Sequence, residues 1–345
     1  MFLHAPLRCI LLAALLLLGC GLPLDASSEE KTQLNQAARS SNVTSPEFVE
    51  VGVWPTVIYN LDVHSNTFYM TAYVWFIWKG DIDPSETAEL VNNVESWGLT
   101  KVRTYPKPIT FPDGRKYQCL RIEGRFFQPF SLKRFPLEHH TLTLSMEDNT
   151  YTVDKILYRL DQKNSGIDPG INIPGWSVKS WSGLAGIHHY PSNLGDQTVG
   201  TNGTDYGSIT FKIEVTRPVN FFLWKMLLPV LIILLACWTA LLLHPSQLAS
   251  RAAMTGTALL TTVFMQQGYT SNLPEVNYLV LMDKIYVVVY LLIIISLVQV
   301  VIQGGLDKKH QLDDYEKAQF MDKVSVAVQA VIFVISLWVI CATTH

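Results

Sequence analysis

Charge is scarce in this chain, and cysteine is scarce where a disulfide would be useful. Only 16% of the 345 residues are Asp, Glu, Lys or Arg, against 49% hydrophobic, and the mean hydropathy is +0.21. That balance excludes an ordinary soluble composition and makes a membrane protein the first expectation. The net charge is −3 with no Lys/Arg-rich run, so no surface tracks a phosphate backbone and nucleic acid is not an expected partner. Of Cys9, Cys20, Cys119, Cys237 and Cys341, two fall at the N-terminus and two in apolar segments. Cys119 alone cannot staple its own domain, which must hold together through its core. No nucleophile with a base, carboxylate pair or metal-ligand run stands out, so an enzyme, a cofactor and a metal site are not expected.

The N-terminus shows Arg8 before an apolar run, Ile10 to Leu18, then Gly19-Cys20. Residues 1–20 therefore read as a secretory leader, too short for a span, which needs about 20 apolar residues. Leu17-Leu18-Gly19-Cys20 also resembles a lipoprotein cleavage box that would lipidate Cys20. Residues 21–46 are polar and lack an apolar period, the mark of a linker.

From 47 to 218 short runs rich in Val, Ile, Tyr, Phe, Trp and Thr alternate with Gly, Pro, Asp and Asn clusters, which predicts an all-β, immunoglobulin-like sandwich. Ile209, Phe211, Ile213 and Val215 alternate with Thr210, Lys212, Glu214 and Thr216, a strand with one wet face. Phe111-Pro112-Asp113-Gly114 is a hairpin turn.

After Arg217-Pro218 the composition changes, and 219–345 reads as an all-α, four-helix transmembrane domain with spans near 221–243, 252–270, 278–302 and 324–342. The first and third are long apolar stretches, and 324–342 carries no formal charge. The second carries Thr255, Thr257, Thr261, Thr262, Gln266 and Gln267, which lipid would not tolerate facing it, so it must be wrapped by other helices or face water. With the sandwich outside, the 303–323 linker and the 244–251 connection are cytoplasmic and hold Arg251, Lys308, Lys309, Lys317 and Lys323, beside Asp307, Asp313, Asp314, Glu316 and Asp322. The connection 271–277 has no Lys or Arg, as the positive-inside rule asks. Expected localisation is a multi-pass protein of a plasma membrane, the bacterial inner membrane, with its N-terminal domain extracytoplasmic.

One face of the second span runs Ala253, Thr257, Leu260, Phe264, Gln267, Ser271. Several copies around an axis would stack Leu260 and Phe264 as apolar rings that gate by dewetting above Thr257 hydroxyls. The same helix also fits the buried element of a single-chain transporter.

Arg251 to Tyr278, with Thr257, Leu260-Thr261-Thr262 and Asn272-Leu273-Pro274-Glu275-Val276-Asn277-Tyr278, resembles the pore helix and following loop of glycine receptors. Together with Pro229, Asp283 and Phe135-Pro136-Leu137-Glu138, it makes the chain similar, from about residue 46 onward, to the nicotinic, glycine and GABA-A receptor superfamily in its bacterial form. Gln128 and Leu142 stand where animal members close the Cys loop. The roughly 20-residue linker is too short for their intracellular domain.

The resemblance implies a homo-pentamer in a bilayer, permeating inorganic ions, and a small-molecule or proton agonist. It implies coupling through Asp62, Phe135, Pro136, Glu138, Arg217, Leu273 and Pro274, with Arg217 near both Asp62 and Glu138. It implies an aromatic agonist site from Trp78 on one side and Tyr151, Tyr190 and Tyr206 on the other, holding a cationic or zwitterionic ligand, with Glu147 to Asn149 as an anionic wall. His64, His139-His140 and His188-His189 leave proton gating open. Ser250 and Arg251 form the expected cytoplasmic mouth, and an Arg251 ring without opposing Glu would favour anions. A membrane-anchored periplasmic sensor or transporter accessory that does not conduct is the other functional class the residues allow.

Overall fold

Every second residue of the strand Thr67–Trp78 points inward: Phe68, Met70, Ala72, Val74, Phe76 and Trp78 are each 2% exposed or less. That period of two is what makes the segment a strand with one face in a core. The structure, a computed structural model, describes residues 46–193, 195, 203–308 and 315–343. The expected leader at 1–20, and all but the end of the 21–46 linker, lie outside those residues.

Among the described residues, ten strands build two facing sheets. They are β1 (Glu47–Asp62), β2 (Thr67–Trp78), β3 (Ala88–Leu90), β4 (Thr100–Arg103), β5 (Ile109–Thr110), β6 (Lys116–Phe127), β7 (His139–Asp148), β8 (Ile156–Leu160), β9 (Ser177–Tyr190) and β10 (Thr204–Thr216). One sheet runs β4-β6-β2-β1-β8, with β5 on β6 and β8 parallel to β1; the other runs β3-β7-β10-β9. Val51, Val53, Phe68 and Phe76 of the first meet Leu142, Leu144, Ile209, Phe211 and Ile213 of the second in one apolar core, each such side chain contributing about 1.5–3 kcal/mol by burial. Gly52 is required by close approach: a Cβ there would sit 2.0 Å from the indole of Trp75, its cross-strand partner. That indole lies across the strand to donate to Asp161 at 3.0 Å.

Four long helices follow among the described residues. The first, α1 (Val219–Leu242), is irregular at its start, because Phe222–Leu227 is π-helical. Pro229, with no N–H to offer the preceding turn, stands two residues beyond it. Next come α2 (Leu248–Thr270), α3 (Leu281–Lys308) and α4 (Tyr315–Thr343). Val219–Leu242, Leu281–Gly305 and Glu316–Thr343 are long and apolar enough to cross a membrane. A second core, with Phe222, Val230, Leu234, Ala258, Leu281, Ile285, Val289 and Phe333, binds the helices together, and Leu132 and Phe135 of the sandwich enter it. Asp322, read in the sequence as part of a cytoplasmic linker, instead lies inside α4 and is fully buried.

Candidate pore, junction and ligand pocket

The helix α2 is two-sided. Arg251, Thr255, Ala258, Thr262 and Tyr269 are buried, against α1 and α3. On the other side Ala253, Thr257, Leu260, Phe264, Gln267 and Ser271 are all exposed, Leu260 at 55% and Phe264 at 62%. Thr257 and Thr261 donate their hydroxyl protons to the carbonyls of Ala253 and Thr257, each at 2.8 Å. What these threonines offer outward is therefore acceptor lone pairs.

At the start of α2 the structure separates two residues that the sequence reading had put together. Ser250 is exposed, whereas Arg251 is 1% exposed and turned into the bundle. Its guanidinium donates to Asp322 (2.9 Å), to Gln303 Oε1 (2.7 Å) and to the carbonyls of Ala240 (3.2 Å) and Leu241 (3.4 Å). The charge is spent on a buried carboxylate, so the argument for anions from a free arginine ring loses its basis.

Where the sandwich meets the helices, Arg217 donates through Nε and Nη2 to Glu138 Oε1 at 3.0 and 2.8 Å, and its backbone N–H donates to the Glu138 carbonyl at 3.1 Å. The guanidinium lies over Trp176 (4.5 Å), Phe221 (5.1 Å) and Phe135 (5.7 Å), a desolvated cation on aromatic faces. Burial raises the Glu138 carboxyl above the usual carboxylate range, with Arg217 pulling it back. Asp62 is not part of this pair. Its carboxylate accepts from Ser65 Oγ (2.6 Å) and the His64 N–H (2.9 Å), closing the β1–β2 turn, and the Ser65 bond holds it below its usual value.

Backbone bonds fasten the junction loop to the top of the bundle. The Leu281 and Met282 N–H groups donate to the carbonyls of Lys133 (3.0 Å) and Phe135 (3.3 Å), and the Leu132 N–H donates to Tyr278 Oη (3.1 Å). Phe135 and Pro136, joined by a cis peptide, are buried, and Phe135 stacks on Tyr269 at 6.3 Å. A cavity of about 220 Å³ lies here, lined by Val63, Phe135, Glu138, Arg217, Tyr269 and Leu273 among others; Pro274, half-buried, follows Leu273. Tyr269 and Trp176 are not among the residues the sequence pointed to, whereas Tyr278 closes the Asn272 to Tyr278 motif singled out there. Tyr269 was within reach, since it continues the stripe opposite the polar face, seven residues beyond Thr262.

Of the four aromatic residues expected around a ligand, the structure brings two together. Tyr190 and Tyr206 meet edge to face at 5.8 Å. Tyr190 donates to Glu147 Oε2 at 2.9 Å, His188 Nδ1 lies 2.5 Å from Glu147 Oε1, and the His188 and Tyr190 rings are 4.3 Å apart. Burial, followed by the bond to Glu147, pushes the Tyr190 phenol up to about 12, so it remains a donor at neutral pH. Tyr151 instead packs against the sandwich core, its N–H donating to Asp148 at 2.6 Å. Trp78 is buried at 2% in the core, because it continues the inward register of Phe76, and it cannot line a wall between subunits. His140 is likewise interior, between Phe130 (4.9 Å) and Trp176 (5.2 Å), and burial, reinforced by Arg217, lowers it to about 4.

A β-sandwich fastened by its lower loop and its last strand to a helical membrane bundle, with one amphipathic helix left uncovered, defines the class of receptor-type channel subunits. No family model matches the chain. It is 21% identical over 282 residues to a proton-gated ion channel of Gloeobacter violaceus, covering 77% of this chain and 75% of that protein. It is also 22% identical over 171 residues to a gamma-aminobutyric acid receptor subunit beta of Lymnaea stagnalis, and 21% over 189 residues to one of Caenorhabditis elegans. Those matches cover 49% and 54% of this chain, and the chain spans 32% of the length of each of the two receptor subunits. The chain is thus similar to pentameric ligand-gated ion channels, in a form without the Cys-loop disulfide. Among the described residues Cys119, Cys237 and Cys341 are free thiols. It is a membrane protein and, like those channels and receptors, not an enzyme.

Proposed function

We propose that this chain is one subunit of a homo-pentameric ion channel of a bacterial inner membrane, its sandwich outside and its four helices spanning the bilayer. A small ligand bound between neighbouring sandwiches, against Glu147, Tyr190 and Tyr206, opens a pore lined by α2. One observation carries the reading: Ala253, Thr257, Leu260, Phe264, Gln267 and Ser271 are exposed on a helix whose opposite face is fully packed. Polar groups at that depth need water or protein, never lipid. Five such faces turned to a common axis supply water at both ends and an apolar constriction between. Binding energy travels through the Arg217–Glu138 pair and the 130–138 loop to Tyr269 and the start of α3. The mouth then presents Ser250 rather than a charge, and ion preference rests on backbone and hydroxyl dipoles. A proton agonist is the companion expectation, as the relative from Gloeobacter violaceus is named for proton gating.

The test is single-cysteine labelling along α2 with a charged, water-soluble thiol reagent in the bilayer, read together with current. Cysteine at Thr257 or Gln267 reacts and blocks current, while cysteine at the buried Thr262 does not. Protection of Thr257 and Gln267 in every state, with no current under any agonist, would mean a non-conducting sensor.

A further inference from the structure

The carboxylate of Glu147 is 9% exposed, yet it is reached from two sides by side chains of one strand end. Tyr190 donates to Oε2 at 2.9 Å and His188 Nδ1 sits 2.5 Å from Oε1. His188 itself is 48% exposed, open to water and protons. The strand register explains the convergence. Glu147 on β7 pairs with Ser208 on β10, Ser208 pairs with Gly186 on β9, and Tyr206 pairs with His188. All of these side chains therefore stand on the outer face of the sheet. Gly186 places no side chain in front of Ser208, so the imidazole two residues on can lean toward the carboxylate. The other titratable groups near this spot are Glu89 on β3, the cross-strand partner of Glu147, Lys101 on β4, whose ammonium donates to the Ala88 carbonyl and attracts Glu89, the phenols of Tyr190 and Tyr206, and the buried phenol of Tyr158 on β8. His189 and Asp205, 2.6 Å apart, form a pair of their own on the opposite face.

This is a carboxylate edged by aromatic faces, the arrangement that holds an ammonium ion, already occupied by a cation-forming ring of the same chain. We propose that His188 is a tethered counter-ion that an incoming ammonium ligand must displace from Glu147, so that protons and amines compete for one carboxylate. The inference rests on the reading of this pocket as the ligand site. Histidine changes charge between about pH 5 and pH 8. When the ring is protonated it is attracted to Glu147 and the amine must break that pair, releasing the proton. When the ring is neutral, Glu147 lacks the imidazolium's charge and is open to the ammonium. The competition runs in the direction of weaker amine binding as pH falls.

The experiment uses the purified full chain in lipid nanodiscs and propylamine, an ammonium throughout this range, titrated by calorimetry from about pH 5 to pH 8. The wild type loses affinity toward low pH, up to tenfold per pH unit once the ring is charged. Two buffers of different ionisation heat reveal up to one proton released per amine bound. His188→Gln binds propylamine with no such slope and no proton release, His189→Gln behaves as the wild type, and Glu147→Gln loses binding at every pH. Equal pH profiles for the wild type and His188→Gln overturn the proposal, as does absence of propylamine binding from both at every pH. Because the readout is binding, propylamine binding with this pH pattern but without conductance leaves the inference standing and removes the channel function alone.

Discussion

Replacing Asp322 by Ala tests the most heavily desolvated charge pair in the described residues. Arg251 and Asp322 have 1% and 0% side-chain exposure and meet at 2.9 Å. Asp322 Oδ1 also accepts from Gln299 (2.5 Å) and Gln303 (2.8 Å). The substitution leaves a buried guanidinium without an anion and two amide groups without their acceptor. Loss of one partner of such a pair costs about 3–5 kcal/mol. The amide donors, worth about 1–3 kcal/mol each if wholly orphaned, are not additive with it because Gln303 still accepts from Arg251. The expected loss is therefore about 3–5 kcal/mol, read as the shift in reversible denaturation of micelle-embedded protein followed by tryptophan fluorescence. Val331→Ala, at a position on α4 that is 57% exposed, is the control and moves stability by less than about 1 kcal/mol. The decisive variant is the pair Arg251→Met with Asp322→Leu, which restores an apolar contact and returns most of the stability, since such swaps are often neutral. A double variant as unstable as the sum of the singles, or an Asp322→Ala shift no larger than the control, refutes the assignment of this pair as the lock between α2 and α4.

Two further outcomes follow from the same geometry. Leu260→Thr puts a hydroxyl in the apolar constriction, so the channel opens at several-fold lower agonist and shows more unliganded current in planar bilayers; unchanged activation would place the gate elsewhere. His140, lowered to about 4 in the fold against about 6.5 unfolded, is bound by more protons in the unfolded chain, so its contribution to stability is present above that ordinary value and falls away as pH drops toward 4. At pH 5 the loss is about 2 kcal/mol, and a pH series of thermal melts shows His140→Gln lacking that acid-sensitive step; parallel wild-type and variant curves between pH 7 and pH 5 would contradict it.

What could be read from the sequence was whatever repeats at short range. Ile209, Phe211, Ile213 and Val215 announce an inward face by their period of two, and all four are buried. The two faces of α2 follow from a 3.6 period in the same way. The aromatic site was harder, because aromatic side chains serve cores and ligand walls equally well. The inward register running from Phe68 to Phe76 already committed Trp78 to the core, and register is a stronger constraint than residue type. Charge pairing was the least legible, since Arg251 and Asp322 are 71 residues apart and no spacing rule joins them. A signal was nevertheless present on α4 alone. Asp322, Ser325 and Gln329 recur at helical spacing in an otherwise apolar segment, and polar groups within a span must find partners in the bundle. They do so in sequence. Trp238 and Ser296 donate to Gln329 Oε1, Gln329 donates to Ser325, Ser325 to Gln299, and Gln299 to Asp322, which holds Arg251. This line of hydrogen bonds ties α4, whose outer side is largely exposed, to the first turn of α2. A helix held by polar contacts in an apolar medium can only dock in the register that satisfies them all, so the position of α4 and the position of the α2 start are set together.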